Sequence, residues 1–361
     1  MNIDEFYKEL LCILPYVTDK DKHFRIRLGN ALRQYCDMIK VLEIDGNPLS
    51  KSTIDSVVHI SNKIKAIVKS SMEGLPSRAF AQLHNLLYNK AGNPPIDIKS
   101  TILSYDAGES FYRIRLMDSV NDVPRKELFH IPLSKRGMVK TQRFSISGYP
   151  CLYLGETIYG CWEEMRRPQM YKCAVSRYEN RETLNFIDLT IPLKDELKNH
   201  SYLKLLPLII ACMIRVADDE ATYKPEYIVP QLLMEWILKN RKYTDNGGNK
   251  KEIHGIAYIS THHNEEFEFP EDSFINYAIP VFSVDLRCAY CKKLCQIFNL
   301  SLPTTNDIEK LKGAYGVEGG RQPRDPKKQR IQNYQNSDFG HLEERLNDTV
   351  RFPLESINWK H

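Results

Sequence analysis

No uncharged apolar run in this chain is long enough to cross a bilayer. The longest, "LLPLIIACMI" from Leu205 to Ile214, falls far short of the ~20 residues a spanning helix needs. It reads as a buried helix, and no membrane partner is expected. No secretory leader is expected either, since "MNIDEFYKEL" opens acidic where a signal peptide has a basic stretch ahead of an apolar one. Nine irregularly spaced cysteines then read as reduced thiols in a cytoplasmic protein. Strong net charge is lacking: a formal +4 over 361 residues tolerates an anionic ligand but makes no case for nucleic acid. Neither an internal repeat nor a regular strand–helix beat is visible, which leaves an α+β arrangement.

What is present suffices for a real core. The chain is 42% hydrophobic and 27% charged, with length for two domains or for one large domain with appendages. "DEFYKELLCILPYV", "HFRIRLGNALRQYCDMIKVLE", "KSTIDSVVHISNKIKAIVKSSME" and "SRAFAQLHNLLYNK" place apolar residues three and four apart, so residues 1–95 read as an all-α domain. Ser50 or Ser52 caps the third helix and Ser77 the fourth. Pro94 and Pro95 in "AGNPPIDIKS" forbid a continuing helix and mark a linker. Strand-like runs follow in "SFYRIRL", "CLYLG", "LNFIDL" and "HGIAYIS", with helical "SYLKLLPLIIACMIRVA" and "EYIVPQLLMEWILKN" between the last two. Residues 100–300 are thus read as a second domain. Residues 301–361 are read as a polar basic loop and a final helix near "HLEERLNDTV" that packs on that domain.

"TQRFSISGYPCLYLGETIYGCWEE" concentrates the chemistry. The strand "CLYLG" leads into a helix that Thr157 can cap, "IYGCWEEMRR". Tyr153 then leaves the strand, and Glu164 lies about two turns into the helix. Arg143 begins the preceding stretch. A cation, a flat aromatic face and a carboxylate suit a nucleotide with a diphosphate, a stackable ring and a glycosidic carbon that turns cationic on cleavage.

"FYRIRL", "QRFSISGYPCLYLGETIYGCWEE", "EYIVPQLLMEWI" and "GIAYIS" resemble, in order, the landmarks of the RES family over roughly residues 105 to 290. That family includes NAD-consuming toxins of RES–Xre toxin–antitoxin pairs. The resemblance puts the family arginines on Arg113 and Arg143, its tyrosine on Tyr153, its glutamate on Glu164 and its serine on Ser260. Glu163 competes with Glu164, but one helical step turns a side chain about 100° away, and Glu164 keeps the family spacing. What the resemblance implies is an ADP-ribosyltransferase-like split β core with surrounding helices. NAD is the implied substrate, with no cofactor and no metal. Glu164, Tyr153 and Arg113 are the implied catalytic residues, and Arg143 and Ser260 bind substrate. The implied reaction cleaves the nicotinamide–ribose bond, with water or phosphate as acceptor, and so depletes NAD. The alternatives are ADP-ribosylation of a protein and non-catalytic nucleotide binding or interaction. A cognate antitoxin or other regulatory partner, and a homo-oligomer, are compatible with it. The helical domain ahead and the tail behind depart from the compact family toxins.

Each residue also has an ordinary reading. Arg113 and Arg143 suit a solvated surface, Tyr153 a core aromatic, Glu164 a helix ion pair with Arg167, and Ser260 a cap. Cys288, Cys291 and Cys295 in "CAYCKKLC" lack a second ligand pair for zinc and read as small buried hydrophobes. His262 and His263 are adjacent, point apart and make no metal pair. Arg78 and His84 in "SRAFAQLH" are similar to the arginine–histidine pair of the helical HEPN ribonucleases. With Leu83, Leu86 and Leu87 around His84, a HEPN-like but non-catalytic module is the reading preferred. The basic segment 318–341 reads as a solvated loop.

Overall fold

A computed structural model describes residues 1–18, 20–88, 94–118, 123–244, 248–260, 275–285, 287–305, 334, 337–347 and 354–360. In chain order the elements are α1 (Ile3–Ile13), α2 (Phe24–Lys40), β1 (Glu43–Ile44), β2 (Asn47–Pro48), α3 (Lys51–Met72) and α4 (Pro76–Leu87). Next come β3 (Ile102–Tyr105), β4 (Ser110–Leu116), β5 (Cys151–Gly155), α5 (Ile158–Glu164), β6 (Cys173–Asn180) and β7 (Leu184–Leu189). They are followed by α6 (His200–Cys212), α7 (Ile228–Asn240), β8 (Lys242–Thr244), β9 (Lys250–Glu252), β10 (Gly255–Ile259) and β11 (Ile275–Pro280). The last are α8 (Lys292–Ile297), β12 (Phe298–Leu300), α9 (Asp338–Asn347) and β13 (Glu355–Ser356). The fold is α+β. His262, His263 and most of the 318–341 segment lie outside the described residues.

The chain forms two compact units that do not follow the consecutive boundaries read from the sequence. The first combines Met1–Leu103, Thr141–Ile146 and Phe186–Ile256, and the second Ser104–Lys140, Ser147–Asn185 and Ala257–His361. The reason is burial. Residues Leu205 to Cys212 of α6 are buried without a break, and such a helix needs neighbours on all sides. α6 packs on α2 and α3, and α7 on α3 and α4, so both join the helices of the N-terminal stretch. α3 presents Val57, Ile60, Ile64, Ile67 and Val68 as one buried stripe. Its first turn is capped by Ser50, whose hydroxyl accepts the Thr53 N–H at 3.2 Å. Ser77 caps nothing: α4 begins at Pro76, with Leu75 at the cap position. Proline's fixed φ and missing donor suit the first helical residue, so the helix starts earlier than a serine cap allows.

The second unit is built on a large sheet with the order β13-β12-β6-β4-β5-β11-β10-β7-β3. From β13 to β11 every neighbour pair is antiparallel. The last three strands each have residues assigned to both units. Phe111 on β4 anchors one face, with ring centroids 5.0 Å from Tyr277 and 6.2 Å from Phe298 in edge-to-face contact. On the other face Tyr112, Ile114 and Val175 pack against Ile158 and Cys161 of α5 and Leu342 and Leu346 of α9. Among the described residues no helix is long and apolar enough to cross a membrane.

Candidate functional site

β4 and β5 share a single register pair, Tyr112 with Gly155, and Arg113 fills the space beside it. Its Nη1 donates to the Tyr153 carbonyl at 2.7 Å, while its buried Nε has no hydrogen-bond partner among the described residues. Paired residues of an antiparallel ladder share a face. Tyr153, opposite Ala278, therefore lies on the face of Tyr112, where α5 packs, and Arg113 leaves the strand on the other.

Gly155 lets α5 come close. A Cβ there would sit 2.5 Å from Cys161 Sγ and 3.1 Å from the Thr157 carbonyl. Thr157 caps the helix as its sequence leads one to expect, accepting the Gly160 N–H at 2.9 Å. Two turns on, Glu164 ends the helix. Its Oε2 accepts a hydrogen bond from Ser260 Oγ at 2.5 Å, and Ser260, directly after β10, is fully buried. The adjacent Glu163 is built differently. It is 2% exposed, and both its oxygens accept from Arg167 Nε, at 2.9 and 3.1 Å. Arg167 thus pairs with Glu163, four residues earlier. Arg166 and Arg167 have φ of 62° and 54°, left-handed values that cost a non-glycine residue ~1–2 kcal/mol each. The Glu163 pair and the Arg167 guanidinium over Trp162, 5.7 Å from the ring centroid, hold that turn.

Arg143 belongs to the first unit. There its Nη1 donates to the carbonyls of Cys212 at 2.7 Å and Ile214 at 3.1 Å, and the guanidinium lies over Tyr227 at 5.3 Å. Within the second unit the structure joins Glu164 to Ser260 and Arg113 to the Tyr153 backbone.

Two groups carry no obvious sequence signal. Glu156, next after β5, accepts a hydrogen bond from the Tyr277 hydroxyl, which lies 2.5 Å from that of Tyr105. Burial, with the Glu156 charge adding to it, pushes the Tyr277 phenol well above its ordinary value, so it remains a donor. His130 is also buried. Its Nε2 accepts the Cys291 N–H at 3.0 Å, and Nδ1 lies 2.8 Å from the Ile131 carbonyl oxygen.

Burial holds the His130 imidazole down at about 4, with the Ile131 bond opposing and the Arg113 charge adding to the depression. Unfolded, the ring titrates near its ordinary ~6.5. Between those values the unfolded chain binds more protons, so this contribution is present above the unfolded value and lost as pH falls. The expected slope is about 1.4 kcal/mol per pH unit across that window. Urea unfolding at pH 7 and pH 4.5 should show a shallower loss in His130→Gln than in the wild type; equal losses would contradict it.

On the helix that carries Glu164, burial pushes the Cys161 thiol up to about 12, which keeps it protonated. Cys288, Cys291 and Cys295 are buried free thiols, and among the described residues no group of three or more His, Cys, Asp or Glu is arranged to hold a metal. On α4, Arg78 is exposed and roughly 120° around the helix from His84. His84 is half-buried and stacked between Phe80 and Tyr88 at 6.4 and 5.0 Å. Burial first, then the Lys239 charge, lowers its pKa.

No family model matches the chain, and no solved structure matches it. The chain is 35% identical over 300 residues to a protein of Bacillus subtilis (strain 168) called "Putative toxin YopC". That similarity takes in 76% of this chain and spans 64% of the relative's length.

Proposed function

We propose that the second unit cleaves the nicotinamide–ribose bond of NAD and that the protein is a toxin acting by NAD depletion. The observation that carries this reading is the 2.5 Å bond between Ser260 and Glu164. Two residues far apart in the chain, each assigned to one site by the RES resemblance, meet directly. The name of the Bacillus subtilis relative supports the toxin half of the reading.

The chemistry asks little of a protein. The bond from the ribose anomeric carbon to the pyridinium nitrogen breaks, its electron pair goes to that nitrogen, and neutral nicotinamide departs. The sugar is left as an oxocarbenium-like cation. Glu164, its carboxylate oriented by the Ser260 hydroxyl, stabilises that charge. Tyr153, on the same sheet face as the helix that carries Glu164, offers an aromatic surface to the nicotinamide end. Arg113, which leaves β4 on the other face, serves from behind: its Nη1 holds the Tyr153 carbonyl at 2.7 Å and so fixes the strand that carries the ring. Water, losing a proton, or inorganic phosphate then bonds to the anomeric carbon.

The test is to incubate the full chain with NAD, with and without phosphate, and to follow nicotinamide by chromatography. Release is expected, with ADP-ribose as co-product if water is the acceptor and its phosphorylated form if phosphate is. Release that needs an added protein and labels it would move the reading to ADP-ribosylation. No release under any condition from folded protein would refute it.

A further inference from the structure

α5 is only seven residues long, too short to persist without outside support. At its N-terminal end four N–H groups lack partners within the helix. Thr157 serves the Gly160 N–H from next door. The Ile158 N–H is served from 185 positions along the chain, by Glu343 Oε1 at 2.6 Å. Glu343 lies on α9 between Leu342 and Leu346, which belong to the apolar cluster over α5 and β4. It is itself only 6% exposed. A carboxylate there is costly to bury unless hydrogen bonds compensate it, and another apolar residue would continue the stripe more cheaply. The compensation is visible, because Glu343 Oε1 also accepts from the Tyr334 hydroxyl at 2.6 Å. The neighbouring Asn347 Oδ1 takes the Tyr112 hydroxyl at 3.3 Å, tying α9 to the strand under α5. α9 is therefore keyed to the first turn of α5 by a directional, charge-assisted bond as well as by apolar contact. The last residue of α5 is Glu164.

We infer that Glu343 is a positioning residue for Glu164, fixing α5 along its axis so that the carboxylate meets Ser260. This rests on the NAD-cleavage reading for its effect on rate, and on the geometry alone for its effect on α5. A small displacement of a catalytic group lowers turnover without weakening substrate binding, so the effect should fall on kcat.

The experiment compares the full-length wild type with Glu343→Ala, Glu343→Gln and Tyr334→Phe. Nicotinamide release and amide hydrogen exchange are both followed. In Glu343→Ala, kcat should drop about tenfold with KM within about twofold, and exchange across residues 157–164 should rise about tenfold. Exchange in β6 should stay near the wild-type level. Glutamine keeps a carbonyl acceptor for Ile158 and should restore both readouts to within about threefold of wild type. Should the alanine variant not fold, Tyr334→Phe decides, because it removes one donor to the carboxylate and should move kcat and 157–164 exchange together by about threefold. Raised exchange spread equally into β6, or raised exchange with unchanged kcat, would overturn the inference. If the wild type releases no nicotinamide, the NAD reading fails by itself. The exchange arm then judges α5 anchoring, upheld by a rise confined to 157–164 and overturned by none.

Discussion

Glu164→Gln is expected to lower nicotinamide release about a thousandfold, the scale seen when one transition-state stabiliser is removed, with KM changed only a few-fold. The substitution keeps size and leaves a carbonyl oxygen to accept from Ser260 Oγ, which now lies 2.5 Å from Glu164 Oε2. What it removes is the negative charge that the proposed reaction needs where the ribose becomes cationic. Ground-state binding changes little and the barrier rises, so the loss belongs in kcat. Ser260→Ala deletes the orienting donor but leaves the charge and should cost about tenfold. Glu163→Gln provides the contrast. It weakens a buried pair with Arg167, and its main effect should be on thermal stability. Steady-state rates together with melting curves separate the three variants. A Glu164→Gln protein within threefold of wild type, with normal melting, would remove Glu164 from the proposed mechanism.

Several parts of this arrangement were legible in the chain. "SFYRIRL", "CLYLG" and "LNFIDL" coincide with β4, β5 and β7, because the apolar runs are short and bounded by turn formers. The Thr157 cap also follows from a local rule, since a cap depends only on near neighbours. What sequence could not show is long-range. β6, "CAVSRYEN", lies mid-sheet but mixes charge into its run: Arg177 finds Glu179 at 3.0 Å and Ser110 across the ladder. Only the neighbouring strand explains such a residue. Glu343 looks like a solvated helix residue in "HLEERLNDTV" until α5 appears beside it. The division of the chain into the two units has the same cause, because the apolar run Leu205–Cys212 of α6 says that it will be buried but not against which helices.

Arg27→Met should lower the unfolding free energy by about 3–5 kcal/mol, the range for stranding one partner of a buried ion pair. Arg27 is fully buried, and its Nη1 meets Glu226 Oε1 at 2.7 Å with side-chain exposures of 0% and 3%. The guanidinium also donates to the Arg215 carbonyl at 2.6 Å and the Thr18 carbonyl at 3.4 Å. The Ala217 N–H reaches the same Glu226 oxygen at 3.2 Å. One cation thus organises α2 and the stretch between α6 and α7, beside the parallel bridge of Tyr16 with Ile214. Methionine fills much of the volume but leaves the Glu226 carboxylate in a dry site with the Ala217 N–H for compensation. The size of the loss comes from that stranded charge, not from the pair's own net contribution. Adding Glu226→Gln to Arg27→Met should therefore recover at least half of it, since a neutral amide is far cheaper to bury. Arg27→Lys keeps the charge but cannot fork to a carboxylate and two carbonyls at once, and it should fall between wild type and methionine. Urea titrations of the wild type, Arg27→Met, Glu226→Gln and the double variant give the coupling energy directly. Additive losses in the double variant, with no recovery, would mean that the carboxylate is served by solvent and that Arg27 acts by packing alone.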